Sequence, residues 1–199
     1  MAAGNLSLSL LFLLSLSCHI PLSTATKSPE RHAHQNLLRV FCVNATFPHI
    51  CLRSLSSRAA TATSPRALAE AAVDVSLFRA RKTSRYLAAI RGRSGEERAA
   101  LRDCIEQVSD SMDELRRTLA ELRRLRRGTF RRQMSDVETW VSAALTNEDT
   151  CLDGFEEVGV KVRFSVKRRV RNVARVTSNA LYLINRLDQT SQGLAGSDL

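Results

Sequence analysis

The chain has 199 residues, a formal net charge of +10 at neutral pH, 5% aromatic residues, 8 glycines and 4 prolines. This length suits a single domain, and the scarcity of aromatic residues, glycine and proline argues against a β-sandwich or a β-barrel. Long stretches rich in alanine, leucine, arginine and glutamate favour helices instead.

The first 26 residues carry no charged side chain and are predicted to be a signal peptide. Residues 8–16, LSLLFLLSL, form an apolar run of the expected length that is too short to span a bilayer. Ser23 and Ala25 suit the −3 and −1 positions of a cleavage site. The alternative is an uncleaved membrane anchor, because the amino terminus supplies the only positive charge ahead of the run. No later segment is apolar enough to cross a membrane, so the sequence predicts a secreted protein without membrane association after signal removal.

The cysteines of the mature chain predict two disulfides. Cys18 leaves with the signal, and Cys42, Cys51, Cys104 and Cys151 remain. An even number in an oxidising compartment favours disulfides, and four cysteines allow three connectivities. A local bridge between Cys42 and Cys51 is the simplest choice, and Cys104 then pairs with Cys151. A metal site is disfavoured because the four include no CxxC pair.

Residues 27–64 are predicted to form an N-terminal extension rather than part of the main bundle. Residues 36–42 suit a short helix, a second short helix begins near Ile50, and residues 56–64 resemble a small-residue linker. Asn44-Ala45-Thr46 is a glycosylation sequon inside the small disulfide loop, where Asn44 is predicted to be exposed.

Four amphipathic helices are predicted within residues 65–190, followed by a flexible tail at residues 191–199. Each has an apolar stripe with helical spacing. The stripes are Leu68, Ala71, Val75, Phe78, Leu87 and Ile90; Leu101, Ile105, Val108, Met112, Leu115, Leu119 and Leu122; Val137, Trp140, Val141, Ala144, Cys151, Phe155 and Val158; and Val166, Val170, Val173, Thr177, Ala180, Ile184 and Leu187. Four such helices with short loops predict an all-α fold, an antiparallel up-down-up-down bundle.

Capping signals set the predicted helix boundaries. Ser64-Pro65 begins the first bundle helix, and Ser94 and Ser135, each followed three residues later by glutamate, begin the second and third. Gly92 and Gly128 separate the first three helices. Gly154 is predicted to lie inside the third helix, and Gly159 to end it.

Arginines concentrate near the end of the second bundle helix. The cluster is Arg116, Arg117, Arg123, Arg124, Arg126, Arg127, Arg131 and Arg132. It is either a solvated helix face or a dedicated polyanion site. Nucleic acid is disfavoured as a partner, because the chain carries a secretory signal and lacks stacking aromatic residues.

Carboxylates gather around the two predicted partners of the longer disulfide. Glu106, Asp110 and Asp113 follow i, i+4 and i+7 spacing on the second bundle helix, offset from its apolar stripe. The third bundle helix adds Glu148, Asp149, Asp153, Glu156 and Glu157 around Cys151. An acidic surface on a basic protein suggests docking to a basic partner. The alternative is an ordinary exposed helix face with carboxylate–arginine pairs.

Several motifs together resemble the plant invertase and pectin methylesterase inhibitor family. The matching residues are Cys42 and Cys51 with Thr46-Phe47-Pro48 between them; Asp103-Cys104-x-Glu106 with Asp110 and Leu115; Ser142-Ala143-Ala144-Leu145-Thr146; Asp149-Thr150-Cys151-x-Asp153-Gly154-Phe155; and Ser178-Asn179-Ala180-Leu181. They occur in the family's order over residues 36–188.

The resemblance implies a four-helix bundle, secreted to the apoplast and cell wall, that inhibits pectin methylesterase. Its second, third and fourth bundle helices would lie across the pectin cleft of the enzyme in a one-to-one complex. Carried to this chain, the partner-binding residues are Glu106, Asp110, Asp113, Thr150 and Asp153. Inhibition of acid invertase is the alternative. Many invertase inhibitors carry Pro-Lys-Phe where residues 127–130 here read RGTF, which favours the esterase.

Enzymatic activity is not expected from this sequence. The mature histidines all lie in the extension, disulfides would consume the cysteines, and no GxSxG, HExxH or glycine-rich phosphate motif occurs. The sequence therefore predicts no catalytic residue, no cofactor and no metal. Two further interpretations stay open. The chain could be a detached pro-region of an esterase, or a wall protein that binds de-esterified pectin through its arginine clusters without inhibiting an enzyme.

Overall fold

The computed structural model describes residues 29–57, 62–92, 94–156 and 159–196. The predicted signal peptide at residues 1–26, its Cys18 and Val158 lie outside the described residues. Regular structure in the described part is helical: α1 Pro29–Cys42, α2 Pro48–Leu55, α3 Pro65–Ala89, α4 Gly95–Leu122, a 3₁₀ turn Arg127–Thr129, α5 Phe130–Asp153 and α6 Val160–Gly196. Over the described residues, no helix is long and apolar enough to cross a membrane.

Helices α3 to α6 form the predicted four-helix bundle. α3 packs on α4 and α6, and α5 packs on the same two helices, so α4 and α6 occupy diagonal corners. Short connections make successive helices antiparallel neighbours. The extension helices α1 and α2 lie against one another, and α2 contacts α3 and α6. α6 continues beyond residue 190, where we predicted the bundle to end.

Two of the three predicted helix starts are confirmed. The Ser64 hydroxyl accepts from the Ala67 N–H at 3.2 Å, with Pro65 in the first turn. The Ser94 hydroxyl accepts from the Glu97 N–H at 3.0 Å. Between these helices, a Cβ on Gly92 would lie 2.9 Å from the backbone nitrogen of Arg98. The α3–α4 connection therefore approaches too closely for any other residue.

The predicted boundaries of the third bundle helix are wrong at both ends. α5 begins at Phe130 rather than at Ser135 and ends at Asp153, before Gly154. The early start follows from the buried Gln133 side chain. Its Oε1 accepts from the Arg126 N–H at 2.9 Å, and its Nε2 donates to the Arg124 carbonyl at 3.0 Å. These bonds join the first turn of α5 to the end of α4, so residues ahead of Ser135 are held in helical conformation.

The apolar stripes of α4, α5 and α6 supply most of the core, but Trp140 of the predicted α5 stripe is only half-buried. The stripe of α3 needs a larger correction. Phe78 was predicted to lie in the α3 stripe, but it is 45% exposed. α3 instead buries Ala72, Val73, Ser76 and Leu77, because it packs on both α4 and α6 and therefore needs a wide apolar face.

Both predicted disulfides are present. Cys42 is bonded to Cys51 with a Cα–Cα distance of 5.6 Å, and Cys104 to Cys151 with a Cα–Cα distance of 4.5 Å. The first bridge ties α1 to α2, and the second ties α4 to α5. The bonded cysteines are buried, so the bridges lie inside the structure rather than on its surface.

One asparagine fixes the extension to the bundle. The Asn179 side chain of α6 is 2% exposed. Its Nδ2 donates to the Phe47 carbonyl at 3.0 Å, and its Oδ1 accepts from the Phe47 N–H at 2.8 Å. Asn179 thus satisfies both backbone groups of the residue before α2, in the way that a neighbouring strand would.

We expect Asn179→Ala to lower the free energy of unfolding by about 2 kcal/mol, because it removes two hydrogen bonds and leaves the Phe47 N–H without a partner. For a domain of this size the melting temperature should fall by about 5 °C in scanning calorimetry. Asn185→Ala, at an exposed position of the same helix, is the matched control. Equal melting temperatures for the two variants would contradict this role of Asn179.

Candidate docking surface

Exposed polar side chains on α4 and α5 form the candidate surface. Glu106, Asp110 and Asp113 of α4 and Thr150 and Asp153 of α5 are all exposed. We call these five residues the acidic face. The Cys104–Cys151 bridge joins the two helices between them, so the predicted residues belong to one tied pair of helices. In the described chain, no hydrogen bond or ion pair joins the α4 members directly to the α5 members.

The acidic face is only partly neutralised within the molecule. Asp113 forms an ion pair with Arg116 one turn further along α4. No cation in the described part of the chain pairs with Glu106 or Asp110. An exposed i, i+3 pair contributes little to stability and exchanges readily with solvent or a partner. The carboxylates of α4 are therefore available to a cationic partner.

The α5 half of the acidic face, Thr150 and Asp153, has a further carboxyl beside it at Asp149. The Thr150 hydroxyl donates to the Thr146 carbonyl at 2.8 Å, and its oxygen can still accept. Asp149 and Asp153 stand one helical turn apart on α5. Desolvation, followed by repulsion from Asp153, raises the pKa of Asp149. This end of α5 thus offers acceptors to an incoming donor.

Glu148 does not belong to the docking surface, contrary to our prediction from the sequence. Its side chain is fully buried where α4, α5 and α6 meet. Its Oε1 accepts from the Ser111 hydroxyl at 2.7 Å and from the Thr177 hydroxyl at 3.0 Å. Each flanking helix thus contributes one hydroxyl, and these two residues, rather than a cation, hold the carboxyl group.

Burial dominates the chemistry of Glu148. Its pKa is raised to about 8: desolvation is the main cause, the bonds from Ser111 and Thr177 oppose it, and repulsion from Asp149 acts in the same sense as desolvation. A carboxyl group in this state is protonated at neutral and acidic pH. The neutral form is a hydrogen-bonded polar group in an otherwise apolar interior, at the junction of the apolar cluster around Cys104–Cys151 and the larger cluster beyond it.

Half of the arginine cluster, which the sequence left open between a solvated helix face and a polyanion site, is paired with carboxylates. Arg116 pairs with Asp113. The other pairs are Arg117 with Glu114 at 3.4 Å, Arg124 with Glu121 at 2.9 Å, and Arg123 with Glu70 at 4.0 Å. Its first half is therefore a mixed-charge helix surface.

We did not predict a second basic surface, which lies on α6. Residues 160–187 contain eight lysines and arginines and no aspartate or glutamate. This excess of basic residues is visible in the sequence and could have identified the surface. Its lining residues include Arg163, Arg168 and Arg171.

The remaining predicted groups are the glycosylation sequon at Asn44 and the histidines of the N-terminal extension. Asn44 is exposed in the small disulfide loop, as predicted, and glycosylation there stays a prediction. His49 is exposed, while the side chains of His32 and His34 lie outside the described residues. Among the described residues, no group of three His, Cys, Asp or Glu side chains is placed to hold a metal ion.

Comparison with known proteins now decides the family. The model of the family "Plant invertase/pectin methylesterase inhibitor" matches residues 36–183. The chain belongs to this family. The match includes both disulfides, the acidic face and Asn179, so the resemblance inferred from the motifs is confirmed.

Individual relatives agree with the family assignment. The chain is 42% identical over 190 residues to "Pectinesterase inhibitor 3" of Arabidopsis thaliana, covering 90% of this chain and 93% of the relative. It is 39% identical over 173 residues to the "21 kDa protein" of Daucus carota, covering 82% of this chain and 88% of the relative. The former is named as an inhibitor and not as an enzyme, in agreement with our prediction for this family member.

A solved structure supports the fold. The crystal structure of a mutant form of a pectin methylesterase inhibitor from Arabidopsis superposes with a TM-score of 0.62, at 24% identity. The superposition covers 74% of this chain and 95% of that one. At this identity the likeness establishes the shared helical bundle of the family.

Proposed function

We propose that the protein is an extracellular inhibitor of pectin methylesterase that binds the enzyme one-to-one and covers its pectin cleft with α4, α5 and α6, the second, third and fourth helices of the bundle. The observation that carries the proposal is the acidic face itself: exposed carboxylates on two disulfide-tied helices of a chain whose net charge is +10. Several relatives are named as pectinesterase inhibitors, which supports pectin methylesterase as the target.

The construction of the face suits inhibition by occlusion. Its residues stand on long helices rather than on loops, and the Cys104–Cys151 bridge fixes the two helices together. A rigid surface loses little conformational entropy on binding, which favours a stable complex. Carboxylates such as Glu106 and Asp110 would steer the inhibitor toward a basic rim of the enzyme and raise the association rate.

The function is tested by titrating residues 27–199 against a plant pectin methylesterase and, in parallel, against an acid invertase. Loss of esterase activity with an equivalence point near one inhibitor per enzyme is the expected result. Loss of invertase activity alone would replace this proposal by the invertase alternative. Failure of both enzymes to respond would exclude inhibition of either as the function.

We expect Glu106→Gln with Asp110→Asn to weaken esterase inhibition about tenfold, chiefly through slower association, because both carboxylates lack an internal cation partner. The substitutions preserve side-chain shape and raise the net charge by two. Stopped-flow measurement of the association rate at two salt concentrations checks the effect, and its salt dependence should become weaker.

A matched control carries the same change in net charge elsewhere. Asn185→Lys with Gln189→Lys places two positive charges at exposed positions of α6. Its inhibition should equal that of the unmodified protein. If the two double variants lose potency equally, net charge rather than the acidic face governs the encounter.

A further inference from the structure

The turn between α4 and α5 contains a motif that the acidic face does not include. Residues 124–127 read RLRR, and this pattern, Arg-x-Arg-Arg, occurs once in the sequence. Subtilisin-like processing proteases cleave after such runs, because each arginine places its planar guanidinium against carboxylates of an acidic cleft. The motif therefore specifies one peptide bond, between Arg127 and Gly128, as a candidate cleavage point.

The position of the motif distinguishes it from the other runs of basic residues. Arg81-Lys82 lies in α3, Arg116-Arg117 in α4, Arg131-Arg132 in α5 and residues 167–169 in α6. An α-helical segment does not fit a cleft that binds its peptide as an extended strand. In the described chain, residues 123–129 are the one stretch between α-helices that contains adjacent basic residues. This stretch holds the whole recognised segment, four residues before the scissile bond and two after it.

The turn is exposed around the scissile bond. The Arg124 side chain is 67% exposed. Arg126, Arg127 and Gly128 are exposed as well. A Cβ built on Gly128 would meet no described atom within 4 Å, so open space surrounds the residue after the scissile bond. Arg126 already has an extended backbone, with φ −130° and ψ 142°. Exposed turns of this kind are preferred sites of proteolytic nicking.

The three guanidinium groups of the motif are available to a protease. Arg126 and Arg127 form no ion pair with any carboxylate among the described residues. Arg124 pairs with Glu121 at 2.9 Å. An exposed i, i+3 pair of this kind contributes little to stability, so the arginine exchanges one carboxylate for another at small cost. A cleft lined by carboxylates can therefore bind all three arginines together.

Two side chains hold the turn closed against the bundle. Gln133 accepts from the Arg126 N–H at 2.9 Å and donates to the Arg124 carbonyl at 3.0 Å. Leu125 is half-buried against the core. A protease can bind the segment in extended form only after these contacts open. The rate of cleavage should then follow the population of the open turn, which Gln133 and Leu125 set.

A cut at this bond leaves the protein covalently joined. It divides the predicted mature chain into residues 27–127 and 128–199, and the Cys104–Cys151 bridge connects the two parts. Cys104 lies about 27 Å along the helix axis from Leu122, at the other end of α4. After the cut this bridge is the remaining covalent connection between α4 and α5, whose packing does not depend on the turn.

We propose that the bond between Arg127 and Gly128 is a processing site for a subtilisin-like protease that recognises paired arginines, and that the product is a two-chain protein held by the Cys104–Cys151 bridge. Hydrolysis adds one water across the peptide bond and leaves a carboxylate on Arg127 and an amine on Gly128. The processing shares with the proposed function only the extracellular route of the chain. It does not depend on which enzyme the protein inhibits.

The first test is digestion of the folded, oxidised protein, residues 27–199, with furin, a protease of this specificity. Mass spectrometry should show Gly128 as a new amino terminus, and electrophoresis should separate two fragments only after reduction. Arg127→Gln should slow cleavage at least about tenfold, because it removes the guanidinium next to the scissile bond. Arg131→Gln makes the same change in charge inside α5 and should be cut at the unmodified rate. Equal cleavage of both variants, or no cleavage of the unmodified protein, overturns the proposal.

Gln133→Ala tests whether opening of the turn controls the cut. It removes the bonds from Gln133 to the turn and should raise the rate of cleavage after Arg127 about tenfold. Gln189→Ala makes the same change at an exposed position of α6 and should leave the rate unaltered. Cleavage of Gln133→Ala alone would show that the native turn is closed to the protease, and it would overturn the proposal. Equal rates for the two alanine variants would overturn the role of Gln133.

A second test uses the full chain expressed in cultured plant cells. Protein recovered from the medium should migrate as one band without reductant and as two bands with it, whereas Arg127→Gln should stay a single band in both. A single band for the reduced, unmodified protein would overturn processing on the secretory route. The readout is fragment mass and not enzyme inhibition. A processed protein that inhibits neither pectin methylesterase nor invertase would therefore support this proposal and contradict the proposed function.

Discussion

Replacing Glu148 by glutamine should remove the largest single loss of stability that we expect as pH rises from about 4.5 to above 8. In the unmodified protein, burial raises the pKa of Glu148 to about 8 from an ordinary value of 4.5. The folded state therefore holds a proton that the unfolded state releases across this range. Glutamine mimics the protonated form at every pH, so this source of pH dependence disappears.

The sign of the effect follows from proton linkage. Because the folded state binds more protons between these two pKa values, the free energy of unfolding falls as pH rises. The stability is fully present below about pH 4.5 and is lost as pH rises through about 8, so the loss is complete only above that value. At about 1.36 kcal/mol for each pH unit, the total loss is on the order of 5 kcal/mol. The raised pKa of Asp149 adds a smaller loss in the same direction.

Urea denaturation at closely spaced pH values checks this expectation. Glu148→Gln should match the unmodified protein near pH 5 and exceed its stability by several kcal/mol near pH 8.5. Glu106→Gln makes the same chemical change at an exposed site of α4 and should leave the pH profile unaltered. Parallel profiles for the unmodified protein and Glu148→Gln would contradict the burial of an ionisable proton in the core.

Removing the Cys104–Cys151 bridge should destabilise the bundle more than removing the Cys42–Cys51 bridge. The bonded residues are 47 apart in the first case and 9 apart in the second. Loop-closure entropy predicts losses of about 4 and about 2.7 kcal/mol respectively, since the longer loop gains more freedom in the unfolded state. The longer bridge also joins two helices of the four-helix bundle, whereas the shorter one joins the extension helices.

Alanine pairs at each bridge test this ordering by scanning calorimetry. Cys104→Ala with Cys151→Ala should lower the melting temperature by about 10 °C, and the Cys42–Cys51 counterpart by several degrees less. Alanine avoids placing hydroxyl groups in the apolar cluster around Cys104. An equal or reversed ordering would mean that the N-terminal extension contributes more to stability than the contacts of α4 with α5.

Local sequence patterns predicted most of the bundle because the signals for a helix are local. The stripes of α4 and α6 recur at helical spacing, and they are buried as that spacing requires. Ser64 and Ser94 cap their own helices within three residues. The start of α5 was predicted wrongly because its determinant is not local: Gln133 bonds to residues at the end of α4. A capping motif at Ser135 could not reveal that contact.

The acidic face shows the same difference between what local sequence patterns predict and what contacts between helices decide. Spacing alone placed Glu106, Asp110 and Asp113 away from the apolar stripe of α4, and they are exposed. Spacing could not separate Glu148 from its neighbour Asp149. The difference arises because hydroxyls from α4 and α6 meet Glu148, and only the packing of three helices brings those hydroxyls together.

The amino-acid sequence by itself therefore determined the helical class, the disulfide pairing, the family and the exposed carboxylates of α4, since each depends on spacing, composition or motif order. The tertiary structure alone decided which charges are buried, paired or free. Glu148 lies in the core, Arg116 and Arg124 form ion pairs with carboxylates, and Arg168 is exposed on α6. Charge availability depends on neighbours across helices, and those neighbours are far apart along the chain.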